Sequence, residues 1–277
     1  MVNKLKIVII LILLATTTYA ASDSSAYPRL NKDYFKSYFT DSKDLVCSPA
    51  KWQSKQWISL GGVATAGILA YTQDEHVQDY FMRHRSVTAG KFSKYIFEPF
   101  GSGVGTGILV SGVFLGGTIL KDERLKGTAL TSVKAFIVSS LFTQFSKQLS
   151  HRHRPYQDEI PDHAQWEGPL GDIHYASFPS GHSSAAFSVA TVFAMEYRET
   201  VWVPALAYTL AAGTAISRLY DNKHWVSDVV IGSAFGFVTG RFIWKQSRRN
   251  ISHIRVIPDI QSNTSSLLIL IPISYKR

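Results

Sequence analysis

Six apolar segments of helical length limit what this sequence can fold into: Trp57–Thr72, Phe100–Leu120, Ala129–Leu149, Ser180–Tyr197, Val201–Leu219 and Trp225–Trp244. Each is long for a strand and none alternates apolar with polar residues, so the pattern predicts helices. Gly61-Gly62, Gly67, Gly101, Gly103, Gly105, Gly107, Gly112 and Gly116-Gly117 lie inside the first two. A glycine weakens a helix in water by about 1 kcal/mol relative to alanine, whereas small residues let helices in lipid approach closely. The expected fold class is therefore all-α: a bundle of about six core helices, associated with a membrane, although Lys134, Asp228 and Arg241 fall within the segments. Only 18% of the 277 residues are charged and 45% are hydrophobic, which excludes disorder for most of the chain and leaves one sizeable core.

The chain ends differ from this core. Lys4 and Lys6, the aliphatic run Ile7 to Ala15, and Thr18-Tyr19-Ala20 before Ala21 read as a signal peptide over residues 1–20, with an uncleaved anchor as the alternative. Residues 21–50 form a polar exported lead-in, amphipathic around Tyr34 to Phe39. The core domain covers residues 51–247. The tail, 248–277, holds two β-like runs around Gln261 to Ser266 that predict a short hairpin. Gln157 to Asp172, rich in acids, proline and glycine, reads as an aqueous loop; metal binding by its acids with His163 or His174 is the lesser alternative.

The single cysteine, Cys47, excludes an intrachain disulfide framework and a thiolate zinc cluster, and is expected to be a small packed residue. Lys and Arg exceed Asp and Glu by 29 to 20, a net charge of +9. That balance admits anionic lipid or a phosphorylated substrate. Nucleic acid is not expected as a partner, because the basic residues are dispersed and export removes the chain from it.

Three clusters carry the chemistry. Lys147 and Arg154 are two helical turns apart, and Pro155 biases Arg154 out of helical conformation, so one cation ends a helix and the second sits on the next turn. Pro179-Ser180-Gly181-His182 precedes a small-residue apolar run and marks a helix start. The free N–H groups there, with the Ser180 hydroxyl, make an anion site beside His182. In the third cluster, Ser217-Arg218 is followed by His224 and Asp228, a spacing of four that places imidazole and carboxylate on one helix face. A carboxylate there fixes the imidazole tautomer, and histidine can itself be a nucleophile. Three cations, a helix N-terminus and two histidines meet the needs of phosphoryl transfer: charge neutralisation and an in-line nucleophile.

The pattern Lys147-x6-Arg154-Pro155, Pro179-Ser180-Gly181-His182, Ser217-Arg218-x5-His224-x3-Asp228 resembles the type 2 phosphatidic acid phosphatase (PAP2) superfamily. That superfamily includes membrane lipid phosphatases, soluble class A acid phosphatases and vanadium haloperoxidases. The motifs span residues 147–228 and the surrounding helices extend the likeness over roughly 51–247. The resemblance implies a metal-independent phosphatase with no cofactor. His224 would attack phosphorus, Asp228 would hold its ring, and His182 would protonate the leaving group and then activate water. Lys147, Arg154, Ser180, Gly181 and Arg218 would bind the phosphoryl oxygens. His182 is then expected protonated and His224 neutral, with a bell-shaped, mildly acidic pH profile.

The resemblance leaves the branch open. A membrane-associated lipid phosphatase with a periplasm-facing site is the first expectation, acting on phosphatidate, phosphatidylglycerol phosphate, an isoprenoid diphosphate or a lipid A phosphate. A soluble periplasmic acid phosphatase is the alternative. A haloperoxidase using His151, His153 or His174, and a non-catalytic membrane protein, come behind. Crossings and oligomeric state are not readable from the sequence.

Overall fold

The computed structural model describes residues 27–171, 175–249, 255–259 and 266–270. The signal segment, residues 1–20, lies outside the described residues. Along the chain run helices α1 Lys32–Cys47, α2 Ser54–Tyr71, α3 Asp74–Arg83, α4 Val87–Phe92 and α5 Glu98–Gly101. They are followed by α6 Gly103–Ile119, α7 Glu123–Ser150, α8 Gly181–Glu196, α9 Trp202–Tyr220 and α10 Val226–Arg249. The six predicted apolar segments become α2, α6, α7, α8, α9 and α10. Beyond α10, strands β1 Arg255–Asp259 and β2 Ser266–Leu270 pair antiparallel, with Ile257 opposite Leu268.

Helix α8 is the axis of the bundle, enclosed by α7, α9 and α10. Its small residues suit burial on every side, and its only charged residue, Glu196, comes at the end. Leu109 and Val113 of α6, Leu125 and Ala129 of α7, and Val189 and Phe193 of α8 form one core cluster. Hydroxyls on α8 find partners within the core: the Ser139 and Ser184 hydroxyls meet at 2.6 Å and Ser188 donates to the Ala185 carbonyl at 2.8 Å.

The closest packing is between α8 and α10. Gly232, Gly236 and Gly240 lie at intervals of four, opposite Ser180, Ser184 and Ser188 at the same intervals. A Cβ on Gly232 would fall 2.5 Å from the Ser180 carbonyl oxygen. One on Gly236 or Gly240 would collide with the carbonyl of Ser184 or Ser188. Glycine here serves close backbone approach.

Some sequence expectations shift. Phe100–Leu120 is not one helix: the chain breaks at Ser102, whose side chain accepts the Gly105 N–H at 3.0 Å and starts α6 afresh, 66° from the preceding segment. The lead-in contains a 16-residue helix, α1, that packs on the bundle. The Tyr34 hydroxyl donates to the Leu130 carbonyl at 2.8 Å, and Asp41 pairs with the buried Lys134 at 2.7 Å. That pair explains a lysine within an apolar segment. Cys47 is exposed rather than packed, because it closes α1 on the solvent side.

Outward faces are apolar too. Ile137, Leu141, Phe145 and Leu149 of α7 form an exposed stripe at intervals of four, and Trp57, Ile58 and Ile68 of α2 are also exposed. Among the described residues, Val226–Arg248 is long and apolar enough to cross a membrane, and the bent pair Val87–Gly101 and Gly103–Ile119 passes if counted as one span.

Candidate active site

Helix α7 stops at Ser150 because His151 turns into the left-handed region, φ 40°. Lys147 therefore sits in the last helical turn and Arg154 on the loop beyond. Lys147 is buried, and its ammonium donates to the carbonyls of Ala176 and Ser177. Arg154 reaches the same Ala176 carbonyl at 3.3 Å, while its buried Nε finds no hydrogen-bond partner among the described residues. Arg218, in the last turn of α9, is held by Glu98 at 3.3 Å and Asp221 at 2.9 Å.

The start of α8 is capped by Ser180, whose Oγ accepts the Ser183 N–H at 3.4 Å. The Ser180 N–H donates to the Asp228 carbonyl at 3.0 Å and ties the first turns of α8 and α10 together. At Gly181 an added Cβ would meet only ordinary contacts, Thr143 at 3.7 Å and Lys147 at 4.0 Å, so no protein neighbour demands glycine there. Gly101 is different: a Cβ would sit 2.7 Å from the His182 Cβ and carbonyl oxygen, so α5 closes on the first turn of α8 only because residue 101 is glycine.

His224 and Asp228 do not share a helix face. The chain is still in a turn at His224, and α10 begins at Val226. The physical reason is capping: the Asp228 carboxylate, in the first turn, accepts the Trp225 N–H at 2.9 Å. His224 Nδ1 lies 3.7 Å from Asp228 Oδ2, too far for a hydrogen bond. Ser177 fills the gap. Its hydroxyl donates to Asp228 Oδ2, and its oxygen is 3.2 Å from His224 Nδ1. The chain Nδ1–H to Ser177 to Asp228 assigns the proton to Nδ1 and leaves Nε2 with a lone pair.

On its other oxygen, Asp228 accepts from Arg152 Nη1 at 2.6 Å. Arg152 also donates to Asp74 at 2.6 Å, to the Ser227 hydroxyl at 2.7 Å and to the His163 carbonyl at 2.9 Å. The rings of Tyr71, Trp166 and Trp225 stand around its guanidinium.

One field covers the site. Burial, then Arg218, Arg154 and Lys147, lower His182 to about 4. His182 is thus neutral near pH 7 rather than protonated as expected, because it is buried and three cations face it. Burial is the largest influence lowering His224; Lys147 and Arg154 act the same way, while Asp228 opposes them. Burial and Arg154 bring Lys147 down to about 7. Among the sequence-derived residues, Lys147, Arg154, His182, Arg218, His224 and Asp228 influence one another electrostatically, and Ser180 and Gly181 form the adjoining helix start.

Ser177, Arg152, Asp74 and Ser227 were not singled out by sequence. Arg152 stands within the His151-Arg152-His153-Arg154 run and Ser177 three residues before Ser180, whereas Asp74 carries no local signal. The acidic loop is tied down by His153, which bonds Asp158 at 3.0 Å and Glu167 at 2.8 Å. Glu75, Asp162 and His163 bring potential metal-ligand atoms within 4.8 Å of one another; His174 lies outside the described residues.

Comparison with known proteins gives a consistent set of likenesses. The sequence model described as PAP2 superfamily matches residues 128–252. The chain is similar to a lipid A 1-phosphatase of Porphyromonas gingivalis, 46% identical over 65 residues, covering 23% of this chain and 15% of that one. It is also similar to a PA-phosphatase related-family protein of Dictyostelium discoideum, 30% identical over 130 residues, 42% of this chain and 47% of that protein. The matches thus span less than two thirds of these curated relatives. A transmembrane PAP2-type phosphatidylglycerolphosphate phosphatase from Bacillus subtilis aligns with TM-score 0.47 and 16% identity, over 80% of this chain and 98% of that chain.

Proposed function

Residues 128–252 are a PAP2 superfamily domain, and from that premise we propose that the chain is a phosphoric ester hydrolase. It cleaves phosphate monoesters or diphosphates of lipids through a phosphohistidine at His224. The observation that carries this reading is the shared field of Lys147, Arg154 and Arg218 around His182, beside an imidazole whose Nδ1 is engaged and whose Nε2 has no hydrogen-bond partner among the described residues.

In the proposed reaction His224 Nε2 attacks phosphorus in line as the ester P–O bond breaks. The three cations, with Ser180 and the Gly181 N–H, hold the phosphoryl oxygens. Ser177 and Asp228 keep the proton on Nδ1 and stabilise positive charge on the phosphorylated ring. The anionic phosphoryl group offsets the cations that suppress protonation of His182, so His182 takes up a proton with the substrate and delivers it to the leaving alkoxide. It then removes a proton from the water that hydrolyses the adduct.

A lipid substrate is supported by two features besides the names of the relatives. The α7 stripe and the outer face of α2 expose contiguous apolar side chains of the kind that meet lipid. A narrow apolar cleft of about 40 Å³, lined by Phe100, Ala186, Val189, Phe193, Leu206 and Leu210, starts one helical turn beyond His182. Membrane association fits these features, and the proposal extends it to an exported protein acting from the periplasmic side. The soluble periplasmic phosphatase remains the second reading, because among the described residues only Val226–Arg248 is by itself long and apolar enough to cross a membrane.

The test is rapid quenching with labelled substrate. Wild type should trap an acid-labile phosphohistidine, and His224→Ala should trap none; trapping that persists in that variant refutes the nucleophile. Carbonate extraction, followed by phosphate release from phosphatidate, phosphatidylglycerol phosphate, an isoprenoid diphosphate, lipid A and a soluble aryl phosphate, decides between the two readings. Release of the aryl phosphate by a fully extracted protein favours the second.

A further inference from the structure

The guanidinium of Arg152 joins two carboxylates from opposite parts of the chain, Asp74 of α3 and Asp228 of α10, and all three side chains are fully enclosed. Ser227 holds Asp74 as well: Asp74 accepts the Ser227 N–H at 2.8 Å on Oδ1 and the Ser227 hydroxyl at 2.7 Å on Oδ2. A buried ion pair alone would need one carboxylate. With two carboxylates and one guanidinium, the trio itself carries a formal charge of −1.

We propose that Arg152 and Asp74 are positioning residues that lock Asp228 in place while leaving its charge available to the ring of His224. The inference rests on the nucleophilic role of His224 proposed above. Without Asp74, Arg152 and Asp228 form a neutral pair, and the carboxylate nearest His224 is already spent. With Asp74 sharing the guanidinium, the missing positive charge is supplied when His224 becomes phosphorylated and its ring turns cationic. Lys147 and Arg154 also influence Asp228, but they lie on the side where the phosphoryl oxygens are to bind. The covalent step itself is unchanged: the Nε2–P bond forms, the ester P–O bond breaks, and the leaving oxygen takes the His182 proton.

The arrangement predicts an unusual sign of coupling. Asp74→Asn should lower kcat by about tenfold or more, the scale of a weakened charge-assisted contact, with KM within about threefold. Adding Arg152→Met to that variant removes the competitor for Asp228 and should recover most of the lost kcat. A bridge that merely holds α3, α10 and the loop together would make the double variant worse than the single one, and that result overturns the proposal. An Asp74→Asn enzyme with wild-type kcat overturns it too.

If Asp74→Asn alone does not fold, the double variant, which retains neither buried charge of the Arg152–Asp74 pair, is compared directly with wild type. Activity within about tenfold supports the proposal, and a loss of about a hundredfold or more rejects it. Phosphate trapping on wild-type full-length protein is measured first. Absence of trapping there refutes the phosphohistidine reading, whereas trapping with no effect at Asp74 refutes only the charge-sharing bridge.

Discussion

Removing the Ser177 hydroxyl by Ser177→Ala isolates the contact between the two halves of the proposed nucleophile. In the structure the 3.7 Å separation of His224 Nδ1 from Asp228 Oδ2 is bridged by that hydroxyl, 3.2 Å from the ring nitrogen and bonded to the carboxylate. Alanine leaves Asp228 Oδ2 with the Trp225 N–H, and His224 with no partner unless the ring moves by roughly 0.8 Å to a normal hydrogen-bond length. One of the two lost bonds is to a charged group, so the cost is about 1.5–3 kcal/mol, or about 10- to 150-fold in rate. The loss should fall on kcat, because Lys147 grips the backbone carbonyls of Ala176 and Ser177, which the substitution retains. Steady-state release of phosphate and quench trapping measure both terms. A Ser177→Ala enzyme within threefold of wild-type kcat, or one altered only in KM, refutes the reasoning.

Four further outcomes are expected. Lys147, lowered to about 7 by burial and Arg154, loses its charge as pH rises through that value, and a bound phosphoryl anion favours its charged form. Vanadate inhibition should therefore weaken above pH 7, by at most about tenfold per unit for one proton, and stay flatter in Lys147→Arg. Gly236→Ala drives a Cβ into the Ser184 carbonyl and should cost about 1–3 kcal/mol, a fall of several degrees in melting temperature. Gly107→Ala, with open space around it, should be neutral or stabilising by up to about 1 kcal/mol in the same assay. EDTA should leave phosphate release intact, since Lys147, Arg154 and Arg218 supply the charge; loss restored by a divalent cation would implicate Glu75, Asp162 and His163 instead.

What the sequence made legible follows from range. The six long helices were readable because apolar periodicity is local, and α8 and α10 begin within a residue or two of where Ser180 and Trp225 predict. The break at Ser102 was missed because capping by its own side chain competes with a strong apolar run. The His224–Asp228 pair was assigned the wrong geometry: a spacing of four reads as one face only if the helix has already begun, and the aspartate instead closes the turn before it. Arg152 was visible but indistinguishable from its basic neighbours until Asp74 was brought beside it, a contact that arises only from tertiary packing. Cys47 was misjudged because composition says how often cysteines are buried, not which way the end of α1 faces.

The interlocked glycine and serine ridges of α10 and α8 also fix how the protein can vary. His182 opens one of these helices, and His224 sits just before the other, so neither imidazole can drift without prising the two backbones apart. Diversification toward new substrates would then be borne by the loop from Tyr156 to Gly171 and by the apolar cleft, while the span between the two imidazoles stays set as if by a machinist's gauge.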